Sequence, residues 1–429
     1  MKLLILAFIF CVLIYVSCEK ARFDKYRVYK ILIDDHKQLD ALKFLADTSD
    51  SYNFWQTPMS INTHVEIMVP PHKFADFADI TKTLKIKTEL VINNLQEIFD
   101  KDAQQLKKRK DIEEMNWTEY HSVETIHNWL DSMQENFSPY VNVTTIGISY
   151  EGRPLKLLKL SKKQGNRAIF VEAHIHAREW IASATATWII NELLLSPNQD
   201  VKDLAENIDW YFLPISNPDG YEYTRSSNRN WRKTRSKQSI LCWGVDPNRN
   251  FGYNWMIPDE VGSTGSSTSP CSDVFSGIEP FSEPECYAID RFLNSHKGIF
   301  DAYLALHSYD HSILFPYGNS KAHVPNYDEL FSVGNAAAEM LMNRHNISYR
   351  VGNQAEILYS ASGNSQDHAY GQYGIPISYT FEMRGNGDYG NYGFFLPPEH
   401  IIPNAEEILE SFIGLVKKAR DFGRFKLTN

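Results

Sequence analysis

Cysteine is scarce in this chain. Five occur in 429 residues, at positions 11, 18, 242, 271 and 286, too few for a disulfide framework to stand in for a core. Basic charge is short as well: 43 Lys and Arg face 53 Asp and Glu, a formal net charge of −10. That balance offers a polyanion no basic face and argues against a nucleic-acid partner. After the start of the chain no apolar run approaches the ~18–20 residues a membrane helix needs. The end, Gly423 to Asn429, is too polar for a lipid-anchor signal. Internal repeats and low-complexity tracts are missing too. What is present is material for a large core: 43% hydrophobic residues, with 23 Tyr and 24 Phe. At roughly 100–200 residues per domain the length allows two to three domains.

The one long apolar run opens the chain. Met1 and Lys2 precede Leu3 to Val16, Ser17-Cys18 supplies small residues for cleavage, and charged and polar residues begin at Glu19. Residues 1–18 therefore read as a secretory signal peptide, which disfavours an uncleaved membrane anchor and places the mature protein outside the cell. Cys11 and Cys18 leave with that segment. Cys242, Cys271 and Cys286 remain in an oxidising compartment, where three thiols allow one internal pair. The expected pair is Cys242–Cys271, closing one loop, with Cys286 buried and free. N-x-S/T tripeptides at Asn116, Asn136, Asn142 and Asn346 fit a secreted chain.

Residues 19–110 have the pattern of a small α+β unit. Tyr26 to Ile33 alternates as a strand does, His64 to Val69 and Leu84 to Leu90 read as further strands, and Gln38 to Leu45 and Phe74 to Ile80 have helical spacing. A polar helix from Asn93 runs into Lys107-Lys108-Arg109-Lys110. Such a run is usually a solvated helix end; at a boundary between two compact units of a secreted chain it reads as a protease-sensitive linker. Residues 111–429 then form one large domain. Strands over 168–173, 208–213, 301–306 and 377–382 alternate with helices over 180–195, 283–296, 324–345 and 404–422. This order predicts an α/β domain with a mainly parallel or mixed sheet and helices on both faces. Ligand sites in such sheets lie in loops beyond the strands' carboxyl ends.

The most informative stretch is Ala173-His174-Ile175-His176-Ala177-Arg178-Glu179-Trp180, where a buried strand gives way to a helix. His176 and Glu179 are three apart, so one turn can aim an imidazole and a carboxylate at one point. Zinc takes such nitrogen and oxygen donors, and a catalytic zinc has three protein ligands and an open fourth position. A lone H-x-x-E is common by chance, and the helical H-E-x-x-H motif does not occur here. His307, after the apolar strand Ala302 to Leu306, is the natural third ligand. Alone it would as often be a structural histidine.

Three further segments complete a pattern: Asn228-Arg229-Asn230-Trp231-Arg232-Lys233-Thr234-Arg235, then Asp246-Pro247-Asn248-Arg249-Asn250-Phe251, and Thr380-Phe381-Glu382-Met383-Arg384. With Tyr359-Ser360-Ala361-Ser362-Gly363, the chain resembles the secreted zinc metallocarboxypeptidases of the pancreatic carboxypeptidase A/B type over about residues 20–425. The resemblance implies a mixed eight-stranded-type central sheet with helices on both faces. It also implies a preceding α+β open-sandwich propeptide that blocks the cleft until a trypsin-like protease removes it. One Zn2+ per chain, a monomer, and peptide and protein C-termini as substrates are implied as well. By position, His176, Glu179 and His307 match the zinc ligands, and Asp246 the carboxylate orienting the first histidine. Glu382 matches the general base and Arg232 the oxyanion stabiliser. Asn248 and Arg249 match the grip on the substrate carboxylate, and Tyr359 the tyrosine that closes over it. Arg178, Tyr309 and Phe394 match the subsites upstream of the scissile bond. On the residues alone, Glu382 could instead be a strand-end carboxylate paired to Arg384, and Arg232 a salt-bridged surface arginine.

The chain departs from the pattern at Gln366, the position matching the floor of the pocket for the terminal side chain. A carboxylate there goes with basic termini and an apolar residue with aromatic or aliphatic ones. An amide cannot repay the desolvation of a buried Lys or Arg, and Gln354 and Asn364 add further polarity, so neutral termini, polar or amide ones among them, are expected over basic ones. The alternative is a one-residue shift that puts Asp367 there and restores basic specificity. Gly262 to Ser269 reads as a flexible surface tract. A silent binding protein on the same scaffold would lack a ligand, the base or the arginine, and none is missing. A hormone-processing relative would need a further β domain, and no G-x-S-x-G elbow for a serine hydrolase occurs.

Overall fold

The N-terminal unit is built on strands whose alternate residues face one core. In the computed structural model, which describes residues 20–49, 51–107, 114–387 and 390–426, strands β1 (Arg27–Ile33), β2 (Asn53–Phe54), β3 (Thr63–Val69) and β4 (Thr88–Ile92) form an antiparallel sheet in the order β2-β3-β1-β4. Ile31, Ile33, Val65, Ile67 and Val69 pack on Leu39 and Leu42 of helix His36–Thr48 and Phe77 of helix Phe74–Leu84. Asp35 caps the first helix by accepting from the Gln38 N–H. The strand expected over 84–90 begins later. Leu84 stays helical because Lys85 turns left-handed (φ 55°) and the Lys85 and Ile86 N–H groups close the helix end. A last helix spans Leu95–Lys107. Lys108, Arg109 and Lys110 of the basic run, and the leader 1–18 with Cys11 and Cys18, lie outside the described residues.

The larger unit is an eight-stranded sheet. Its strands are β5 (Val141–Ile148), β6 (Pro154–Leu160), β7 (Ala168–Ala173), β8 (Asp209–Leu213), β9 (Phe300–Ser308), β10 (Ser312–Phe315), β11 (Arg350–Asn353) and β12 (Ile377–Met383). They lie in the order β11-β10-β12-β9-β7-β8-β6-β5. The centre, β12-β9-β7-β8, is parallel, while β10-β12, β8-β6 and β6-β5 are antiparallel. Unbroken apolar runs suit strands buried on both faces. Ile169, Val171, Leu304, Tyr379 and Phe381 meet helices Trp180–Leu195, Tyr327–His345 and Ile401–Asp421. Phe170, Tyr303 and Ala305 meet helices Pro284–Ser295 and Ser365–Tyr373. Among the described residues no helix is long and apolar enough to cross a membrane.

Cys242 and Cys271 are joined, with their Cα atoms 4.9 Å apart, and Cys286 is buried and free. The tract 262–269 is not the free surface loop its composition suggests. Ser362 N–H donates to Thr264 O, and Gly265 (φ 60°) lies so close to Ser360 O that a Cβ there would stand 1.7 Å from it. Only glycine fits.

At the end of β12, Arg384 donates to Glu407 of the last helix through Nε (2.9 Å) and Nη2, and both side chains are buried. Glu407→Ala removes the buried carboxylate that receives both of these bonds. It should lower unfolding stability by about 3–5 kcal/mol, read from denaturant melts against the parent chain.

Candidate active site

Parallel register brings the distant residues together. Glu382 on β12 is paired with His307 on β9, and Ala173 at the end of β7 with Leu306. On β12, Thr380 and Glu382 alternate with the buried Tyr379 and Phe381, so Glu382 leaves the sheet on the face opposite them. The chain after β7 turns sharply: Glu179 N–H donates to His176 O, and Ala182 N–H to Glu179 O as the helix begins. His174 pins this turn from a left-handed conformation (φ 59°). Its ring nitrogens lie 2.8 Å from Ser183 Oγ and 3.0 Å from Ala177 O. Ala177 N–H in turn donates to Arg232 O, tying the arginine loop to the turn.

His176, Glu179 and His307 meet in the interior, with one donor atom from each within 4.8 Å of the others. His176 Nδ1 lies 2.7 Å from Glu179 Oε1 and 3.1 Å from His307 Nδ1, and His307 Nδ1 lies 3.2 Å from Glu179 Oε2. Two nitrogens each roughly 2.0–2.1 Å from one tetrahedral ion are about 3.3 Å apart. Two nitrogens and a carboxylate at these separations fit zinc. Burial alone would raise the Glu179 carboxyl, but His176 and His307 outweigh it and hold it far below the usual carboxylate range.

Asp246 connects this cluster to the arginines. One of its oxygens lies 3.2 Å from His176 Nε2, the nitrogen turned away from the cluster, and the other accepts from Arg232 Nε (3.1 Å) and Nη2 (2.9 Å). Burial opposes its charge, yet Arg232, Arg249 and His176 together keep it ionised well below its ordinary range. Asp246 also accepts from Asn248 N–H and so starts the short turn Pro247–Arg249. Arg249 is aimed by Gly265 O (2.8 Å to Nε) and Asn248 O (2.8 Å to Nη1). The tract 262–269 thereby gains a role that its composition did not disclose.

One cavity is lined by His176, Glu179, Arg232, Asn248, Arg249 and Glu382, with Tyr309, Gln354, Tyr359, Thr380 and Phe394 around it. Burial raises the Glu382 carboxyl well above the usual range, with Glu179 adding to the shift against the pull of His307 and Arg232. Arg384 is not its partner, being held by Glu407. Arg178 lies buried with its guanidinium 4.1 Å from the Phe394 ring centroid, and Phe394 is edge-on to Tyr309 at 4.8 Å. Gln366 is fully buried behind Gln354, to which it donates at 2.6 Å, so the wall at that point is Gln354. Asp367 is buried too, turned toward the Gly318 N–H (2.7 Å).

The N-terminal unit closes the cavity. Trp55 lies against Phe394 (5.6 Å) and Phe395 (5.5 Å), and Phe99 against Phe395 (4.8 Å). Glu66 of β3 accepts from the Tyr309 hydroxyl and from Asn386 Nδ2 (2.8 Å). Asn53 donates to Asp273 (2.7 Å), and Asp102 pairs with Arg229 (3.3 Å). About 30 Å3 remains inside, room for a water but not for a peptide. Nothing in the composition around Trp55 or Glu66 marked them for this contact; only the tertiary arrangement does.

Such a site, a buried N,N,O cluster beside arginines and under a separate cover, is that of a metal-dependent hydrolase held closed. The family model for zinc carboxypeptidases matches residues 126–411, and that for the carboxypeptidase activation peptide matches residues 29–102. The zinc carboxypeptidase A 1 of Anopheles gambiae is 39% identical over 409 residues, 95% of this chain and 93% of that one. The carboxypeptidase B of Astacus astacus is 41% identical over 299 residues, 69% of this chain and 95% of that one. The crystal structure of thrombin activatable fibrinolysis inhibitor superposes with a TM-score of 0.82 at 31% identity, covering 92% of this chain and 98% of that one. The chain belongs to the zinc carboxypeptidase family. It is a metallocarboxypeptidase with zinc as its metal, carries an activation peptide removed by proteolysis, and acts on peptide C-termini.

A histidine ligand depends on the group holding its other nitrogen. Asp246→Asn should weaken zinc binding by about 10–100-fold, measured by competition with a chromogenic chelator on the full chain.

Proposed function

We propose that this chain is a secreted procarboxypeptidase in which Glu382 is the general base and Arg232 the group that stabilises the developing oxyanion. His176, Glu179 and His307 would hold the zinc, with Asp246 orienting His176. A bound zinc supplies a water made acidic toward pKa ~7. Glu382 takes its proton and later returns it to the leaving amine. A carboxyl held above the usual range by burial suits a group that both accepts and releases a proton near neutrality. Arg249 and Asn248 grip the terminal carboxylate, for which a guanidinium offers two parallel hydrogen bonds. Tyr359 closes over it, and Arg178, Tyr309 and Phe394 receive the residues upstream of the cut bond.

The observation that carries this reading is the pairing of Glu382 with His307 on adjacent parallel strands, facing a cavity that also holds Arg232 and Arg249. A pocket walled by Gln354, with Gln366 behind it, supports a preference for neutral terminal residues over the B-type, basic-specific alternative. Residues 1–18 direct secretion, a trypsin-like protease cuts at 107–110 to remove residues 19–110, and residues 111–429 act as a monomer.

Trypsin treatment of the zinc-loaded chain should produce activity on peptides with a free C-terminus and none on the same peptides amidated, with one zinc per chain before and after. Full activity without treatment would overturn the proposed latency. Glu382→Gln should retain its zinc and lose about 10²–10⁴-fold in turnover; unchanged turnover removes the base assignment.

A further inference from the structure

Tyr359 lines the cavity, yet no hydrogen bond of its own holds it there. Its hydroxyl has no hydrogen-bond partner among the described residues, and its ring centroid lies 5.9 Å from the Arg249 guanidinium. The backbone on either side must therefore place it. After it, Ser360 Oγ donates to Asp259 (2.6 Å) and Ala361 N–H to Gly318 O (2.8 Å). Before it, one short helical turn, Gln354–Ile357, joins β11 to Leu358, whose N–H donates to Gln354 O (3.0 Å).

Arg350 reaches over that turn from the start of β11. Its Nη1 donates to Ile357 O (3.0 Å) and its Nη2 to Asp310. Gly352 leaves room for Ile357 to lie close to the strand, since a Cβ there would stand 3.1 Å from Ile357 Cγ2. Asp310 belongs to the frame of the site. It follows His307 by three residues, its N–H donates to the O of Met383, next to Glu382 (3.3 Å), and its carboxylate also accepts from Ser312 Oγ (3.0 Å). One guanidinium thus spans from the strand ends that carry His307 and Glu382 to the loop that carries Tyr359. A planar fork of donors can hold a carboxylate and a carbonyl at once, which an ammonium on a flexible stem cannot.

We propose that Arg350 is a positioning residue for this enzyme: through Ile357 it sets where Tyr359 stands relative to His307 and Glu382. This rests on the reading above, in which Tyr359 closes over the bound substrate. The Arg350 side chain is 55% exposed. Exposed ion pairs add little to folding, so the pair matters for substrate affinity and not for stability.

The test uses the trypsin-activated full chain, one peptide with a free C-terminus, and the variants Arg350→Met, Tyr359→Ala and the two combined. Arg350→Met keeps a long side chain and removes both bonds. KM should rise roughly 3–10-fold with kcat within about twofold, the mark of lost binding that ground and transition states share. The melting temperature should stay within about 2–3 °C of the parent. Amide exchange should quicken over residues 357–361 and stay unchanged over β10. Added to Tyr359→Ala, Arg350→Met should change nothing further. Arg350→Lys keeps the charge without the fork; it should show a smaller loss in the same direction, and it carries the same cycle if Arg350→Met does not fold. An unchanged KM, or the same loss with and without Tyr359, overturns the proposal and leaves the carboxypeptidase reading intact. Tyr359→Ala matching the parent overturns the tyrosine's role and this proposal together. A parent chain that cleaves nothing overturns the functional reading itself.

Discussion

One carboxylate governs the geometry of the whole site. Asp246 is wholly buried, and three positive or proton-bearing groups converge on it: Arg232, Arg249 and His176. Its contact with His176 Nε2 leaves Nδ1 as the nitrogen facing Glu179 and His307. Its contact with Arg232 fixes that guanidinium beside the cluster rather than in solvent. Its contact with the Asn248 N–H begins the turn that carries Arg249. A buried charge is costly unless it is fully paired, and here every pairing also positions a side chain of the site. The electrostatics that make Asp246 tolerable inside the protein are the same interactions that organise the cavity.

The sheet supplies the frame. Four central strands run parallel, so their carboxyl ends open on one side, where crevices for ligands form. Register then does what sequence distance cannot: Glu382 and His307 are 75 positions apart along the chain, yet directly paired on neighbouring strands. The loop after β7 reaches the same level because β7 lies beside β9. Helices on both faces leave these strands little freedom to slip, since a shift of one residue would turn Phe381 outward and Glu382 into the core.

Much of this is legible in the sequence itself. Spacing alone put His176 and Glu179 on one turn, and an apolar strand flagged His307 as the residue at its end. The central strands β7, β8, β9 and β12 stand out because strands buried on both faces read as continuous apolar runs. The outer strands do not. β5 and β6 form an antiparallel edge with exposed residues among the apolar ones, and β10 and β11 are four residues each, too short for a period to register. The site shows the same divide. Gln366 is recognisable by its place after Tyr359, and Gln354 as its neighbour in the same pocket, but that Gln354 stands in front of Gln366 rests on tertiary packing. Gly262 to Ser269 looks flexible because small polar residues dominate it. Its contacts with residues 360–362 and Arg249 are long-range and leave no mark on local composition. Trp55 and Glu66 are ordinary strand-region residues of a small unit until that unit meets Tyr309 and Phe394.

That meeting is largely apolar, and it has a kinetic corollary. Phe23, Val28, Met68, Leu95 and Phe99 share one continuous cluster with Tyr309, Phe394 and Phe395, and Trp55 lies at its centre. On the N-terminal side that cluster ends at Phe99. Proteolysis that frees the activation peptide by a cut beyond that residue severs a covalent tether without touching the seam, and the fragment departs only as fast as a buried aromatic cluster comes apart. Onset of activity should trail backbone scission. Hydrophobic association weakens in the cold, so cooling shrinks the driving force that holds the fragment even as it slows the crossing of the barrier.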